Sequence, residues 1–240
     1  DADQGEGVAV LFGNYAGDNM NVKMAVQMAE DDDIEVKYVV ANDDVASAPK
    51  AVKEQRHGIA GGFFMWKVGG ARAAKGGSLD DVIASAQNVV NRTKSICVGL
   101  EPCVIPALGH SNFKIEDGTM EFGVGHHGEA GTKVEKLKSA SEMAQEMAET
   151  ILNDFDFEEG KEVAVMLSSL GATPVMELYV LYDEVEKVLA KAGHKVWKTY
   201  IGNYVTSLDM NGASLTIVDL DDEIKELLSE PAVPIGMKNY

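Results

Sequence analysis

An α/β fold of two packed α/β units is predicted from three features of the sequence. Short β-branched runs alternate with stretches of helical spacing, two capping boxes precede apolar stripes, and glycine or proline marks most changeovers. Val8 to Phe12 is a continuous apolar run ended by Gly13-Asn14, which predicts a buried parallel-type strand and a turn. Val22, Ala25, Val26 and Ala29 then recur at helical spacing, and the acidic run Glu30 to Asp33 closes that helix. Ile34 to Val40 is a second β-branched strand, completing a βαβ unit. Ser78 with Asp81 starts a helix whose apolar face is Leu79, Val82, Ile83, Ala86 and Val90, and Ile96 to Gly99 follows as a strand.

A second block repeats the alternation as a separate layer. Met120 to Val124 is a strand, and Ser139 with Glu142 opens a helix with the stripe Met143, Met147 and Ile151. Val163 to Leu167 is a strand. Thr173 is then expected as N-cap and Pro174 as first residue of a helix from Val175 to Ala192, stopped by Gly193. Strands at Lys195 to Tyr200 and Leu215 to Val218, and a short helix near Glu223 to Leu228, complete the block. The Pro/Gly-containing stretch Gly99 to Gly109 is the expected boundary, giving domains at 1–98 and 99–240 packed directly together. Gly13-Asn14-Tyr15 is echoed by Gly202-Asn203-Tyr204, each with a Met-Asn pair shortly after it.

Composition narrows the function. The 240 residues carry 21 Lys and Arg against 39 Asp and Glu, a formal charge of -18 that repels a phosphate backbone or an anionic membrane. Nucleic-acid binding is therefore excluded as an expectation. The most apolar stretch, Gly61 to Gly70, is far short of the roughly 20 residues a bilayer span needs, and no signal peptide is visible. Cys97 and Cys103 fit neither a disulfide framework nor a familiar zinc or redox spacing, so both read as buried or incidental thiols in a reducing cytoplasm. The chain opens on Asp1 without an initiator Met, which reads as a processed product or a fragment.

Two loops concentrate residues able to do chemistry. Gly13 to Asn19 lies between a strand and a helix, where α/β proteins place ligand-contacting loops, and Asp18 either faces such a ligand or caps the helix beside Asn19. Gly123 to Gly131 packs His126, His127 and Glu129 among four glycines, offering a nucleophile, a base or metal ligands, but no third ligand at metal spacing is near. Adjacent histidines on an extended segment point to opposite faces, so one at most faces a given site. His57 reads as structural, and His110 and His194 as surface residues. Gly171 to Pro174 at a helix start either holds an anion or simply caps the helix. No Walker A pattern and no Gly-rich dinucleotide fingerprint in the required context is present, so the chain announces no nucleotide site of its own.

In six ordered blocks the sequence resembles the substrate-binding subunit of dihydroxyacetone kinase, the Dak1 or DhaK family. The blocks are Gly13 to Asp18 with Met20-Asn21, Arg56 to Gly61, Glu101-Pro102-Cys103, Gly125 to Gly131, Gly171 to Pro174 with Met176 to Tyr179, and Gly202-Asn203-Tyr204 with Thr206-Ser207-Leu208. The resemblance implies two α/β domains of that type, the first N-terminally incomplete as the sequence stands. It implies that His127 bonds covalently to the carbonyl carbon of dihydroxyacetone as a hemiaminal, a chemistry that selects a ketone over glycerol and needs a neutral imidazole. Asp18 matches the carboxylate that takes the proton of the attacking substrate hydroxyl. Gly13 and Asn14 fall at the substrate too, Gly13 where relatives carry a lysine, while His126 stands where relatives carry an aliphatic residue.

A glycine-rich loop with a further substrate-contacting histidine precedes the matched region in the family, and a separate N-terminal polypeptide is one way to supply it. No cofactor is expected on this chain. ADP or ATP with magnesium is expected on a separate helical nucleotide-binding subunit (DhaL-type), rephosphorylated in bacteria by the phosphoenolpyruvate phosphotransferase system, and the family pattern is a cytoplasmic homodimer. Two rivals keep the covalent histidine: a non-catalytic dihydroxyacetone sensor that acts as a transcriptional coactivator, and a kinase subunit for a larger ketose such as erythrulose.

Overall fold

The computed structural model describes residues 2–111, 113–155 and 160–234. Asp1 and the tail after Pro234 lie outside the described residues. The first unit begins with β1 (Val8–Gly13), α1 (Ala16–Asp31) and β2 (Val36–Ala41), and β1 pairs with β2 in parallel, Val8 opposite Val36. The apolar stripe expected on α1 does turn toward the strands, where Val22, Val26 and Ala29 share a cavity of about 250 Å³ with Val8, Val10 and Val36. No residue of α1 is fully buried, and its other side exposes Met20, Met24 and Met28.

A 3-10 segment (Lys50–Gln55) leads into α2 (Gly62–Ala74) and α3 (Leu79–Asn91). Ser78 and Asp81 form both hydrogen bonds of a capping box at the start of α3, as their spacing predicts. The chain then runs through β3 (Thr93–Glu101), β4 (Thr119–Phe122), β5 (Lys133–Lys136), α4 (Ala140–Asp154), β6 (Glu162–Ser169), α5 (Val175–Lys191), β7 (Lys195–Gly202), β8 (Asn211–Asp219) and α6 (Asp222–Ser229). Ser139 and Glu142 close the second capping box, on α4.

Six of these strands form one sheet in the order β5-β4-β3-β8-β6-β7, antiparallel except for the β6–β7 pair. The strand at Ile96 to Gly99, expected to close the first block, is therefore part of an inner strand of this sheet, between β4 and β8. The boundary expected between 98 and 99 falls inside β3. β4, expected in a separate layer, pairs directly with β3. β5 escapes the sequence reading because an exposed four-residue edge strand, Lys-Val-Glu-Lys, carries no apolar run.

Alternation along β6 shows how one sheet serves two cores. Val163, Val165 and Leu167 point to one face, where Met147 and Ile151 of α4 and Leu178, Val185 and Leu189 of α5 cover them. Ala164 and Met166 point to the other face, against Phe64, Met65 and Val68 of α2, Val89 and Val90 of α3 and Ile224 and Leu228 of α6. Val39 and Ala41 of β2 join that second core, so α2 packs between the two sheets and both units share one apolar interior. Among the described residues, no helix is long and apolar enough to cross a membrane.

Two local expectations change. Thr173 does not cap α5; Pro174 occupies the N-cap with extended ψ of 143°, while the Thr173 hydroxyl lies 2.7 Å from both Asn211 Oδ1 and the Gly212 carbonyl and accepts the Gly212 N–H at 2.8 Å. His194 is buried rather than on the surface, because Gly193 turns the chain into β7 directly beneath α5. The repeated Gly-Asn-Tyr has one geometry in both places: each glycine ends a strand of a parallel pair, and each tyrosine ring folds back toward it.

Candidate functional site

The loop after β1 is held by Asn14. Its backbone N–H donates to Ala41 O at 2.9 Å, its side-chain amide donates to Glu54 O at 3.0 Å and Arg56 O at 2.7 Å, and its Oδ1 accepts from Asn19 at 2.8 Å. Gly13 brings the same loop against Gly58, since a Cβ on Gly13 would stand 3.1 Å from the Gly58 carbonyl. These contacts join the carboxyl ends of β1 and β2 to the segment before α2. Tyr15 then occupies the N-cap of α1 with extended backbone, and Asp18 lies exposed in the first turn.

The histidine pair sits on a turn rather than an extended segment. Gly128 N–H donates to Gly125 O at 3.1 Å, with Gly128 at a φ of +79° that favours glycine, and Gly125 N–H donates to Glu129 O at 2.8 Å. A turn rotates consecutive side chains toward a common side, so the two imidazoles meet edge to face at 5.9 Å instead of diverging. A Cβ on Gly125 would collide with Glu129, which explains why glycine precedes the histidines. Glu129 Oε2 accepts the His127 backbone N–H at 2.8 Å, and Oε1 stands 3.4 Å from His127 Nδ1.

Tyr15 joins the two loops. Its ring meets His127 edge to face at 4.5 Å and stacks on His57 at 4.8 Å, so the residue before α1 touches the histidine turn between β4 and β5. Burial, with the nearby charges of Glu129, Asp44 and Asp43, holds the Tyr15 hydroxyl far above the ordinary tyrosine range. Asp43 and Asp44, just beyond β2, are 2% exposed. Asp43 accepts backbone N–H bonds from Ile59 at 3.1 Å and Gly61 at 2.7 Å and so shapes the glycine-rich turn into α2. Burial pushes the Asp44 carboxyl up to about 7. This acidic pair is legible as Asp-Asp after a β-branched strand, yet only tertiary contact places it beside Tyr15.

His127 and His126 line a cavity of about 420 Å³ with Cys103, Thr206, Ser207 and Leu208. Burial first, then the neighbouring His127, lowers the His126 imidazole. Thus the structure brings His127 to a cavity wall and Tyr15 to His127, while Asp18 stands three residues beyond Tyr15 on the same helix start. Asn14 is engaged with backbone carbonyls and Gly13 with Gly58. Cys97 and Cys103 are free and buried, and burial pushes the Cys97 thiol well up, away from a reactive thiolate. Among the described residues, no group of three or more His, Cys, Asp or Glu is placed to hold a metal ion. A larger cavity, about 540 Å³, lies between Phe63, Trp66, Lys67 and Tyr204 and carries none of these side chains.

Comparison with known proteins gives this arrangement a family. The chain is 40% identical over 222 residues to the PTS-dependent dihydroxyacetone kinase 1, dihydroxyacetone-binding subunit DhaK, of Listeria innocua, covering 92% of this chain and 68% of that one. It is 37% identical over 226 residues to a D-erythrulose kinase of Mycolicibacterium smegmatis, covering 94% of this chain and 39% of that protein. In three dimensions it resembles the dihydroxyacetone kinase operon co-activator Dha-DhaQ with a TM-score of 0.89 at 29% identity, over 95% of this chain and 71% of the other. The Dak1 domain profile matches residues 1–235. The chain belongs to the Dak1 domain family.

Proposed function

We propose that this chain is the dihydroxyacetone-binding subunit of a dihydroxyacetone kinase, with His127 as covalent anchor and Asp18 as general base. The observation that carries the reading is His127 itself, on a turn at the wall of a 420 Å³ cavity, in ring contact with the residue that starts the Asp18 helix. The unprotonated ring nitrogen adds to the substrate carbonyl carbon, forming a C–N bond as the C=O π bond breaks. The carbonyl oxygen takes up a proton, the ring gives one up, and a neutral hemiaminal results. Glycerol has no carbonyl and forms no adduct.

With the ketone so held, Asp18 takes the proton of the free substrate hydroxyl as that oxygen bonds to phosphorus. The phosphoryl group comes from a separate helical nucleotide-carrying subunit, and the product is dihydroxyacetone phosphate. The relatives named as PTS-dependent kinase subunits support this reading.

A second reading, a co-activator that binds dihydroxyacetone without turning it over, is favoured by the 0.89 TM-score to a co-activator and by Gly13 at the position of the family's lysine. The erythrulose kinase relative keeps a larger ketose open as substrate. Intact-mass measurement with dihydroxyacetone or erythrulose, before and after borohydride, tests the anchor. An adduct absent from His127→Ala supports it, and no adduct on folded wild-type protein overturns it. Phosphorylation of the ketone with the helical subunit and its donor supports the kinase, and an adduct without turnover supports the co-activator.

A further inference from the structure

Two side chains press on His127 without a part in the chemistry above. Glu129 reaches it twice, through the backbone N–H and beside ring Nδ1. The Tyr15 ring meets it edge to face at 4.5 Å and is itself stacked on His57 at 4.8 Å with 18° between planes.

We propose that Tyr15 and Glu129 are positioning residues that hold the His127 imidazole in one ring orientation and one tautomer, hydrogen on Nδ1 and lone pair on Nε2. The proposal rests on the reading of His127 as covalent anchor. A carboxylate only accepts hydrogen bonds, so a neutral imidazole nitrogen facing it is the one that carries hydrogen. Nε2 is then the nitrogen free to attack. As the Nε2–C bond forms, the ring gains positive charge and becomes a stronger Nδ1–H donor, 3.4 Å from Glu129 Oε1. The same carboxylate stabilises that cation until Nδ1 releases its proton, balancing the proton taken up by the carbonyl oxygen.

The geometry supplies rigidity on both sides. The Glu129 carboxylate lies over Gly125, where any side chain would displace it. The Tyr15 hydroxyl is buried with no hydrogen-bond partner among the described residues, near Glu129 and Asp44. An unpaired buried hydroxyl costs stability, and here it accompanies a ring fixed between two imidazoles. Tyr15 is also the N-cap of the helix whose first turn carries Asp18.

The test is a long-range proton–nitrogen spectrum of the substrate-free protein, with His127 signals assigned by His127→Ala, alongside borohydride trapping. Wild type is expected to show a single Nδ1–H tautomer at His127. Glu129→Gln keeps the side-chain volume but turns an amide hydrogen toward Nδ1. The tautomer should then become mixed or reversed, and adduct yield at sub-saturating dihydroxyacetone should fall about 10-fold, the lower end of the loss seen when the outer partner of a metal-ligating histidine is removed. Tyr15→Leu should broaden the His127 signals and lower adduct yield while the other histidine signals persist. A wild-type Nε2–H tautomer, or Glu129→Gln leaving tautomer and yield unchanged, overturns the proposal. A Glu129-dependent Nδ1–H tautomer on a protein that never forms an adduct supports the positioning and overturns the hemiaminal instead.

Discussion

Arg56 holds Asp154 through two hydrogen bonds of 2.7 Å each, its guanidinium fork matched to both carboxylate oxygens, while its Nε donates to Ala48 O at 2.8 Å. The pair ties the segment before α2 to the last residue of α4, and so joins the first unit to the second. Burial would raise the Asp154 carboxyl, but the hydrogen bonds and charge of Arg56 outweigh it and hold it below the usual carboxylate range. With the Arg56 side chain 2% and that of Asp154 11% exposed, removing one partner strands the other charge. Arg56→Met should lower unfolding free energy by about 3 kcal/mol in urea titrations at neutral pH. The contribution of the pair is present above the unfolded Asp value of 3.8 and is lost as acid protonates the folded carboxylate, so the gap between wild type and variant should narrow at low pH.

Asp44 acts in the opposite sense. Burial raises its carboxyl from 3.8 to about 7, so between those values the folded protein keeps a proton that the unfolded chain has released. Its stabilising effect is complete below about pH 4 and fades as pH rises through about 7. Asp44→Asn, whose amide oxygen still accepts the Ala46 N–H, should flatten the fall in stability across that window. The change has a ceiling of about 1.4 kcal/mol per pH unit, read from melting or urea curves at pH 4 to 8. Asp43, also raised by burial, keeps its own share of the slope.

Thr173, 7% exposed, bonds Gly212 through both its N–H and its carbonyl. Thr173→Val keeps the shape but leaves a buried N–H without its acceptor, which should cost about 1–3 kcal/mol in urea titrations. Were Thr173 merely a helix cap, the loss would appear as fraying of α5 alone. Hydrogen exchange should instead accelerate at Gly212 in β8.

Asp18 and His127 should separate cleanly. Asp18→Asn removes a general base but leaves the anchor, so trapped adduct should persist while phosphorylation with the helical subunit falls about 10²–10⁴-fold. His127→Ala should lose the adduct altogether. Loss of adduct in Asp18→Asn would assign Asp18 to ketone binding rather than to proton transfer.

Much of this was legible in one dimension. The Ser78/Asp81 and Ser139/Glu142 boxes are local hydrogen bonds between residues three apart, and they form as their spacing requires. The stripe Met143, Met147 and Ile151 turns inward because 3.6-residue periodicity fixes its face before any partner is chosen. The Gly125 to Gly131 motif marked a glycine-rich loop carrying the histidines but not their turn, which depends on the φ of Gly128 and the approach of Glu129 to Gly125. Thr173 was misread because Pro174 after a threonine is a local helix-start signal, whereas its hydroxyl bonds a strand 39 residues away.

By itself, the sequence determined the α/β alternation, the two capping-box helix starts, the loops rich in reactive side chains and membership of the Dak1 domain family. These rest on short-range spacing and on motifs that survive translation into any packing. Only the tertiary structure decided that β3 lies inside the second sheet, that α2 packs between the two sheets, and that Tyr15 stands against His127. Strand order and ring contact depend on which apolar faces meet, and those faces come from segments far apart in the chain, as where Thr93 pairs with Val218, whose pairing no local period encodes.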